Sequence, residues 1–165
     1  MSLDALVLHR AAKGLRRLGV PFIPKVLRKL ILYLHSSYLP LEAEIGEGTQ
    51  LGYGGLGVVI HPEAKIGKHC LISQEVTIGG RSGMKGAPQI GNYVRIGAGA
   101  KLLGPIAVGD FAAIGANAVV LSDVRAGAVV AGIPARQVKR KRAPKRSPAP
   151  ALKVISPRAR SAPSS

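Results

Sequence analysis

The sequence contains few aromatic residues, few acids and almost no cysteine. Tryptophan is absent, and Tyr and Phe supply only 4% of the 165 residues. The single cysteine, Cys70, excludes a disulfide within the chain and suits a reducing compartment. The longest uncharged apolar run near the N-terminus, LILYL, is far too short to span a bilayer, and basic residues interrupt any signal-peptide pattern. We therefore expect a cytoplasmic protein with one domain and short appendages.

The positive charge is confined to the two ends of the chain. Lys and Arg outnumber Asp and Glu by 24 to 8, but residues 1–40 carry +6, residues 41–135 carry no net charge and residues 136–165 carry +10. The middle of the chain therefore reads as an ordinary neutral domain, and the high overall charge does not by itself indicate a nucleic-acid-binding protein.

Aliphatic residues recur at every sixth position through the neutral middle. Glycine follows nine of the fourteen repeats, and a period of six fits neither a helix nor a simple alternating strand. We predict a solenoid of short parallel strands with three faces, about eighteen residues per coil and about five coils. Glycine would give the backbone a positive φ or a close approach at the corners. The repeat positions are Ile45, Leu51, Ile60, Ile66, Ile72, Ile78, Met84, Ile90, Ile96, Leu102, Val108, Ile114, Val120 and Ala126.

Two irregularities interrupt the repeat. Nine residues instead of six separate Leu51 from Ile60, and residues 79–89 (GGRSGMKGAPQ) have the composition of an extruded loop. The first irregularity creates a G-x-G-x-x-G pattern at Gly52, Gly54 and Gly57. A dinucleotide-binding loop must open a helix, whereas β-branched residues and Pro62 follow here. We interpret this pattern as a coincidence of the glycine-rich repeat.

Residues 45–137 resemble the serine acetyltransferase branch of the hexapeptide-repeat acyltransferases. The segments VVIHPEAKIGKHCLISQEVTIGG, IGNYVRIGAGAKLLGPIAVGDFAAIGANAVVLSDV and GAVVAGIPAR carry the resemblance. It implies an all-β, left-handed parallel β-helix, here over residues 41–137. It also implies acetyl-CoA as the donor, a homotrimer and active sites in clefts between neighbouring subunits.

The sequence departs from the family where the acceptor is activated. Gly52 and Tyr53 stand where serine acetyltransferases carry an Asp-His pair, and Gly86-Ala87-Pro88 replaces their Arg-His-Pro. The acceptor is therefore open between serine, a sugar hydroxyl and an amino sugar. The alternative function is a non-catalytic hexapeptide-repeat scaffold or partner subunit that has lost its base.

Acetyl transfer to a hydroxyl needs a general base, and histidine is the usual one at neutral pH. His61 occupies a corner position where glycine is common, one coil before Gly79 and the extruded loop, so we choose it as the candidate base. Tyr53 is the second catalytic candidate, although an ordinary phenol is a poor base. His69 is expected at a solvated corner, and His9 and His35 in the N-terminal helical segment. Either Glu63 or Glu75 would orient the imidazole.

The donor-side candidates follow from a resemblance to the galactoside and maltose acetyltransferases of the same hexapeptide-repeat group. Ala98 and Ala116 match small residues along which the pantetheine arm lies, and Ser122 matches a position near the cofactor. Arg136 and Lys139 match basic residues that meet the phosphates. Plain corner packing is the alternative for the alanines, and a solvated solenoid end for Arg136. No metal is expected, because a zinc site on this fold needs three histidines and the repeat contains two.

The two ends are expected to be accessory segments. Residues 1–40 should be helical, with an apolar stripe of Leu27, Leu30, Ile31 and Leu34 that caps the solenoid or, alternatively, lies on an anionic membrane. Residues 138–165 form a basic tail rich in Pro, Ala and Ser that we expect to be disordered. The basic ends allow weak contact with anionic surfaces, but no interleaved aromatics indicate specific nucleic-acid recognition.

Overall fold

Three parallel sheets form the walls of a triangular solenoid in the described part of the chain. The structure is a computed structural model that describes residues 4–20 and 22–138. The first sheet contains β1 (Glu44–Ile45), β4 (Lys65–Ile66), β7 (Gln89–Ile90) and β10 (Ala107–Val108). The second contains β2 (Gln50–Leu51), β5 (Leu71–Ile72), β8 (Arg95–Ile96), β11 (Ala113–Ile114), β13 (Val129–Ala131) and the antiparallel β14 (Arg136–Gln137). The third contains β3 (Val59–Ile60), β6 (Thr77–Gly79), β9 (Lys101–Leu103) and β12 (Val119–Val120).

The aliphatic repeat points into the solenoid, as predicted. Ile60, Ile72, Ile78 and Leu102 are completely buried, and nearly all the other repeat residues belong to the same hydrophobic core. Strands β1 to β13 pair in parallel with the strands one coil away, so the repeat residue of one coil stacks on the repeat residue of the adjacent coil. The predicted parallel β-solenoid is confirmed.

Both predicted irregularities appear as changes in coil length. Ile60 pairs with Ile78, eighteen residues later, whereas Leu51 pairs with Ile72, twenty-one residues later. The additional three residues form a 3₁₀ turn over Gly52–Gly55 that leads into a strand and not into a helix, so the dinucleotide pattern is a coincidence. Ile66 pairs with Ile90, twenty-four residues later, because residues 80–85 leave the wall as an exposed loop.

The repeat phase slips by two residues in the last coil, which the sequence analysis did not foresee. Ile114 pairs with Val130, only sixteen residues later. Ala126 is therefore exposed and not a core position, and Val124 takes its place inside. The shortened corner lacks a main-chain acceptor for the amide of Ala107, and the Asp123 carboxylate accepts that hydrogen bond at 2.8 Å. Met84 also leaves the predicted phase, since it lies half-exposed in the extruded loop.

Most of the corner glycines act through close approach and not through positive φ, with Gly127 as an exception. A Cβ built on Gly67 would lie 2.4 Å from the carbonyl oxygen of Gly91 in the next coil, yet the φ of Gly67 is not positive. The left-handed conformation occurs two residues later at two of the three corners of the coil, mostly at side chains such as His69, Tyr93 and Phe111. Glycine is thus required where backbones of adjacent coils meet.

Two helices precede the solenoid in the described residues. Helix α1 (Ala5–Arg17) begins at Asp4, whose carboxylate accepts a hydrogen bond from the amide of Leu6 at 2.9 Å. Helix α2 (Ile23–His35) has Pro24 in its first turn and is capped by Ser36, whose backbone has the left-handed conformation. Neither helix is long and apolar enough to cross a membrane.

The cap on the solenoid is built mainly by α1, contrary to the sequence-based assignment of that role to α2. Ala5, Leu6, Leu8 and Ala12 of α1 are buried against the first coil and α2. In the predicted α2 stripe only Ile31 is fully buried and Leu27 partly, whereas Leu30 and Leu34 are 37% and 58% exposed. The apolar pattern identified the helix, but most of its apolar face has no partner among residues 4–20 and 22–138.

Candidate active site

His61 lies directly beneath the extruded loop, as its place in the repeat predicted. The residue follows β3, and its amide donates to the carbonyl of Ile78 one coil away at 2.8 Å. A Cβ built on Gly80 would lie 3.8 Å from Cδ2 and Nε2 of the imidazole, so the ring borders the base of the loop. An open groove of about 470 Å³ runs between them, lined by His61, Glu63, Gly80, Arg81, Met84, Lys85 and Gly86.

A local hydrogen bond sets the tautomer of His61. The amide of Glu63 donates to Nδ1 at 3.2 Å, so a neutral ring carries its proton on Nε2. Nε2 acts as a base only in the other tautomer, in which the contact with the Glu63 amide is given up. That contact is long and lies at the surface, so its loss costs little.

The two carboxylates considered as orienting groups lie in different places. Glu63 lines the groove of His61, whereas Glu75 packs beside Gly57 at the preceding corner of the solenoid. Glu63 is therefore the carboxylate that the structure brings to the candidate base. Its contact with the ring is made by the backbone amide and not by the carboxylate.

The extruded loop contributes two cations that the sequence analysis did not select. Arg81 and Lys85 line the same groove as His61 and are exposed. The pairing of Arg81 with Met84 closes the loop tip into a tight turn. Because two positive side chains face one open groove, they favour an anionic group at this site. The sequence could have indicated these two cations, because they are the charged residues of the predicted extruded loop.

Tyr53 and His61 lie at different corners of the solenoid. Tyr53 belongs to the 3₁₀ turn before β3, has a φ of 52° and is 81% exposed, whereas His61 follows β3. Within a single chain, Tyr53 and His61 therefore do not share a groove.

His35 lies beside this turn, although the sequence places it at the end of a helix. A Cβ built on Gly54 would lie 3.5 Å from Cε1 and Nδ1 of the His35 ring. The carbonyl of His35 accepts the amide of Gly57 at 2.9 Å, which fastens the end of α2 to the turn. Nε2 of His35 is buried without a hydrogen-bond partner in the described residues. An imidazole thus stands next to the position of the replaced Asp-His pair, supplied by α2 and not by the coil.

The other histidines and Cys70 are poorly placed for catalysis. The ring of His69 stacks on Tyr93, which stacks on Phe111, with 5.0 Å between successive ring centroids. His9 is buried, and its Nε2 donates to the carbonyl of Pro40 at 3.0 Å. Burial also raises the pKa of the Cys70 thiol, which disfavours the nucleophilic thiolate.

The donor-side candidates form two groups. Ala98 and Ala116 stack at one corner, where the amide of Asn117 donates to the carbonyl of Ala98 at 2.8 Å. Ser122 and Arg136 share a cavity of about 310 Å³ near the end of the solenoid, and both are exposed. Lys139 lies outside the described residues.

A further cavity lies in the helical cap. It measures about 480 Å³ between the helices and residues 41–42, and Arg16, Lys25, Arg28 and Glu42 line it. None of the candidate catalytic or donor-side residues borders it. In the described ranges, no group of three His, Cys, Asp or Glu side chains is placed to hold a metal ion, and the expectation of a metal-free protein stays a prediction.

Comparison with known proteins agrees with this arrangement. Residues 87–122 match the family described as bacterial transferase hexapeptide (six repeats). A serine acetyltransferase of Synechococcus elongatus is 43% identical over 98 residues, which cover 55% of this chain and 38% of the relative. The chain spans 31 to 54% of the length of the curated serine acetyltransferases that it matches.

Solved structures resemble a larger part of the chain. The serine acetyltransferase of Brucella abortus in complex with coenzyme A gives a TM-score of 0.75 at 34% identity, over 81% of this chain and 54% of that one. Soybean serine acetyltransferase complexed with serine gives 0.73 at 37% identity, over 81% and 56%. This similarity confirms the predicted left-handed parallel β-helix.

The repeat, the coil pairing and the family match define a hexapeptide-repeat protein. Within that class, the chain is similar in sequence and in structure to serine acetyltransferases.

Proposed function

We propose that the chain transfers an acetyl group from acetyl-CoA to the hydroxyl or amine of a small acceptor. The observation that supports this most directly is the similarity, over 81% of the chain, to a serine acetyltransferase solved with coenzyme A. Ala98, Ala116 and Arg136 are the proposed donor-side residues, the two alanines along the pantetheine arm and the arginine at the phosphates. Serine and sugars are the candidate acceptors, and Arg81 and Lys85 favour one that carries a carboxylate or a phosphate.

His61 is the proposed general base. It takes the proton from the acceptor hydroxyl while the oxygen attacks the thioester carbonyl carbon. The C–S bond then breaks, and the proton passes from the imidazole to the departing thiolate. A positioned base of this kind typically contributes about 10²–10⁴-fold to the rate.

The separation of the site residues supports a homotrimer. His61 and the extruded loop occupy one corner of the chain, whereas Ala98 and Ala116 occupy another. A neighbouring subunit would bring the alanine corner of one chain to the loop corner of the next and complete the site between them. The exposed strand edges of a lone solenoid also favour assembly.

The test is turnover of acetyl-CoA with a panel of acceptors by the full chain. Release of the coenzyme A thiol is followed with serine, a neutral sugar, an amino sugar and a phosphorylated sugar, and the acetylated product is identified by mass spectrometry. We expect acceptor-dependent thiol release with at least one acceptor.

Binding of acetyl-CoA by calorimetry accompanies the turnover assay. Binding without turnover of any acceptor would contradict the proposed activity and favour the scaffold function. If the chain neither binds acetyl-CoA nor turns over any acceptor, the assignment of the donor side is contradicted as well.

A further inference from the structure

Helix α2 exposes an apolar stripe that nothing in the described chain covers. The residues at helical spacing along one side are Ile23, Val26, Leu30, Tyr33 and Leu34, with exposures of 37% to 80%. Phe22, just before the helix, is 75% exposed. The buried side of the same helix is a different one, centred on Pro24 and Ile31. The stripe therefore takes no part in the packing of the helical cap.

Cations lie next to this stripe, and acids are almost absent. Lys25 and Lys29 are exposed on the side of α2 that adjoins Val26 and Tyr33. In residues 4–20 and 22–38, the single acid is Asp4, which caps α1, against seven Lys and Arg. The helix thus presents an apolar stripe with a basic border, including one aromatic residue with a polar tip.

This charge distribution distinguishes between two occupants of the stripe. A second copy of α2 would bring lysines towards lysines with no acid on α2 to pair them, since the nearby Glu42 is already paired with Arg16 at 2.7 Å, and this is unfavourable. The surface of an anionic bilayer would accept the apolar side chains among its lipids and pair the lysines with phosphates. Because α2 is too short to span a membrane, it would lie in the plane of the surface.

We propose that α2 is an interfacial membrane-binding helix that docks the protein on anionic lipid. Ile23, Val26, Leu30, Tyr33 and Leu34 enter the headgroup region, and Lys25 and Lys29 contact lipid phosphates. This docking does not depend on the acetyl transfer proposed above, so the failure of one proposal leaves the other standing.

The test is co-sedimentation of the full chain with vesicles of phosphatidylcholine alone and of phosphatidylcholine with phosphatidylglycerol. The basic tail also attracts anionic lipid, but by charge alone, so binding is measured at low and at high salt. The test variant is Val26→Ser/Tyr33→Ser, which keeps every charge. Its matched control, Leu71→Ser/Val138→Ser, removes two half-exposed apolar side chains from the solenoid.

We expect the wild-type chain to bind the anionic vesicles and to retain part of that binding at high salt. The α2 variant should lose the salt-resistant part, with partitioning about tenfold weaker or more, and the control should not. Circular dichroism verifies that both variants keep their fold. Equal binding by the α2 variant and the wild type, or no binding of the wild type to anionic vesicles, would overturn the proposal. So would an α2 variant that binds vesicles normally but forms smaller oligomers in solution, since the stripe would then be a subunit interface.

Discussion

Replacing Gly67 by alanine should destabilise the solenoid strongly, although it adds one methyl group. The added Cβ would lie 2.4 Å from the carbonyl oxygen and 2.5 Å from the carbonyl carbon of Gly91, and 2.8 Å from the amide nitrogen of Asn92. All three atoms belong to the backbone of the next coil, so no side chain can move aside. Since the φ of Gly67 is not positive, the effect is one of contact and not of backbone strain.

The size of the destabilisation by Gly67→Ala depends on how far the next coil must shift. The next coil has to shift by about 1 Å to reach an ordinary contact, against the 2.8 Å hydrogen bond from the amide of Gly67 to the carbonyl of Ile90. Overpacking of a close-packed interior typically costs about 1–3 kcal/mol, and a weakened hydrogen bond about 1 kcal/mol more. We expect Gly67→Ala to lower the free energy of unfolding by about 2–4 kcal/mol.

Two other glycines provide matched controls. Gly14 lies in α1 with nothing within 4 Å of an added Cβ, so Gly14→Ala should stabilise the protein by about 0.5–1 kcal/mol. Gly127 also has open space, but its φ is +67°, so Gly127→Ala should cost about 1 kcal/mol through backbone strain alone. The three variants are compared by urea unfolding at one protein concentration, because assembly makes stability concentration-dependent. A Gly67→Ala protein as stable as the wild type would refute the close-approach role of the corner glycines.

Three further predictions concern a buried histidine, the donor side and the last coil. Burial lowers the pKa of His9, so its neutral form is favoured in the folded state. Its contribution to stability should be complete above pH 6.5 and be lost as the pH falls below that value, while His9→Gln should flatten this part of the pH profile of unfolding. Ala116→Leu should raise the KM for acetyl-CoA with little change in kcat, whereas Ala11→Leu, on the exposed side of α1 in the helical cap, should leave both unchanged. Asp123→Ala should lower the free energy of unfolding by about 0.5–1.5 kcal/mol, since the exposed amide of Ala107 exchanges its carboxylate acceptor for water; calorimetric unfolding that matches the wild type would contradict this role.

The sequence predicts most of the solenoid because the six-residue period of aliphatic residues follows directly from the packing of the core. Each coil must bury one aliphatic side chain per wall, so the repeat identifies the inward positions. The nine-residue spacing from Leu51 to Ile60 identifies the turn before β3, and the composition of residues 79–89 identifies the extruded loop. The slip after Val120 is different, since it depends on the Asp123 side chain replacing a main-chain acceptor. An aspartate at a corner does not reveal by itself which amide it will accept.

The candidate site is predictable only in part, because its residues come from separate segments. His61 lies under the loop since both occupy the same corner one coil apart, which counting along the repeat reveals. His35 reaches the turn at Gly54 only through the docking of α2, and that depends on packing between the helices and the first coil. The sequence also left open whether the apolar stripe of α2 caps the solenoid or stays uncovered, and the packing of α1 into the cap decides this.

The most direct test of the proposed site is the kcat of His61→Ala beside His69→Ala in the acetyl-transfer assay. His61 borders the groove under the extruded loop, whereas His69 lies in an exposed aromatic stack at another corner. Both variants are first shown to unfold at the wild-type temperature, since a corner substitution also acts through stability. We expect His61→Ala to lower kcat by about 10²-fold or more with little change in acetyl-CoA affinity, and His69→Ala to be nearly silent. A His61→Ala protein that acetylates the acceptor at the wild-type rate would contradict the assignment of His61 as the base.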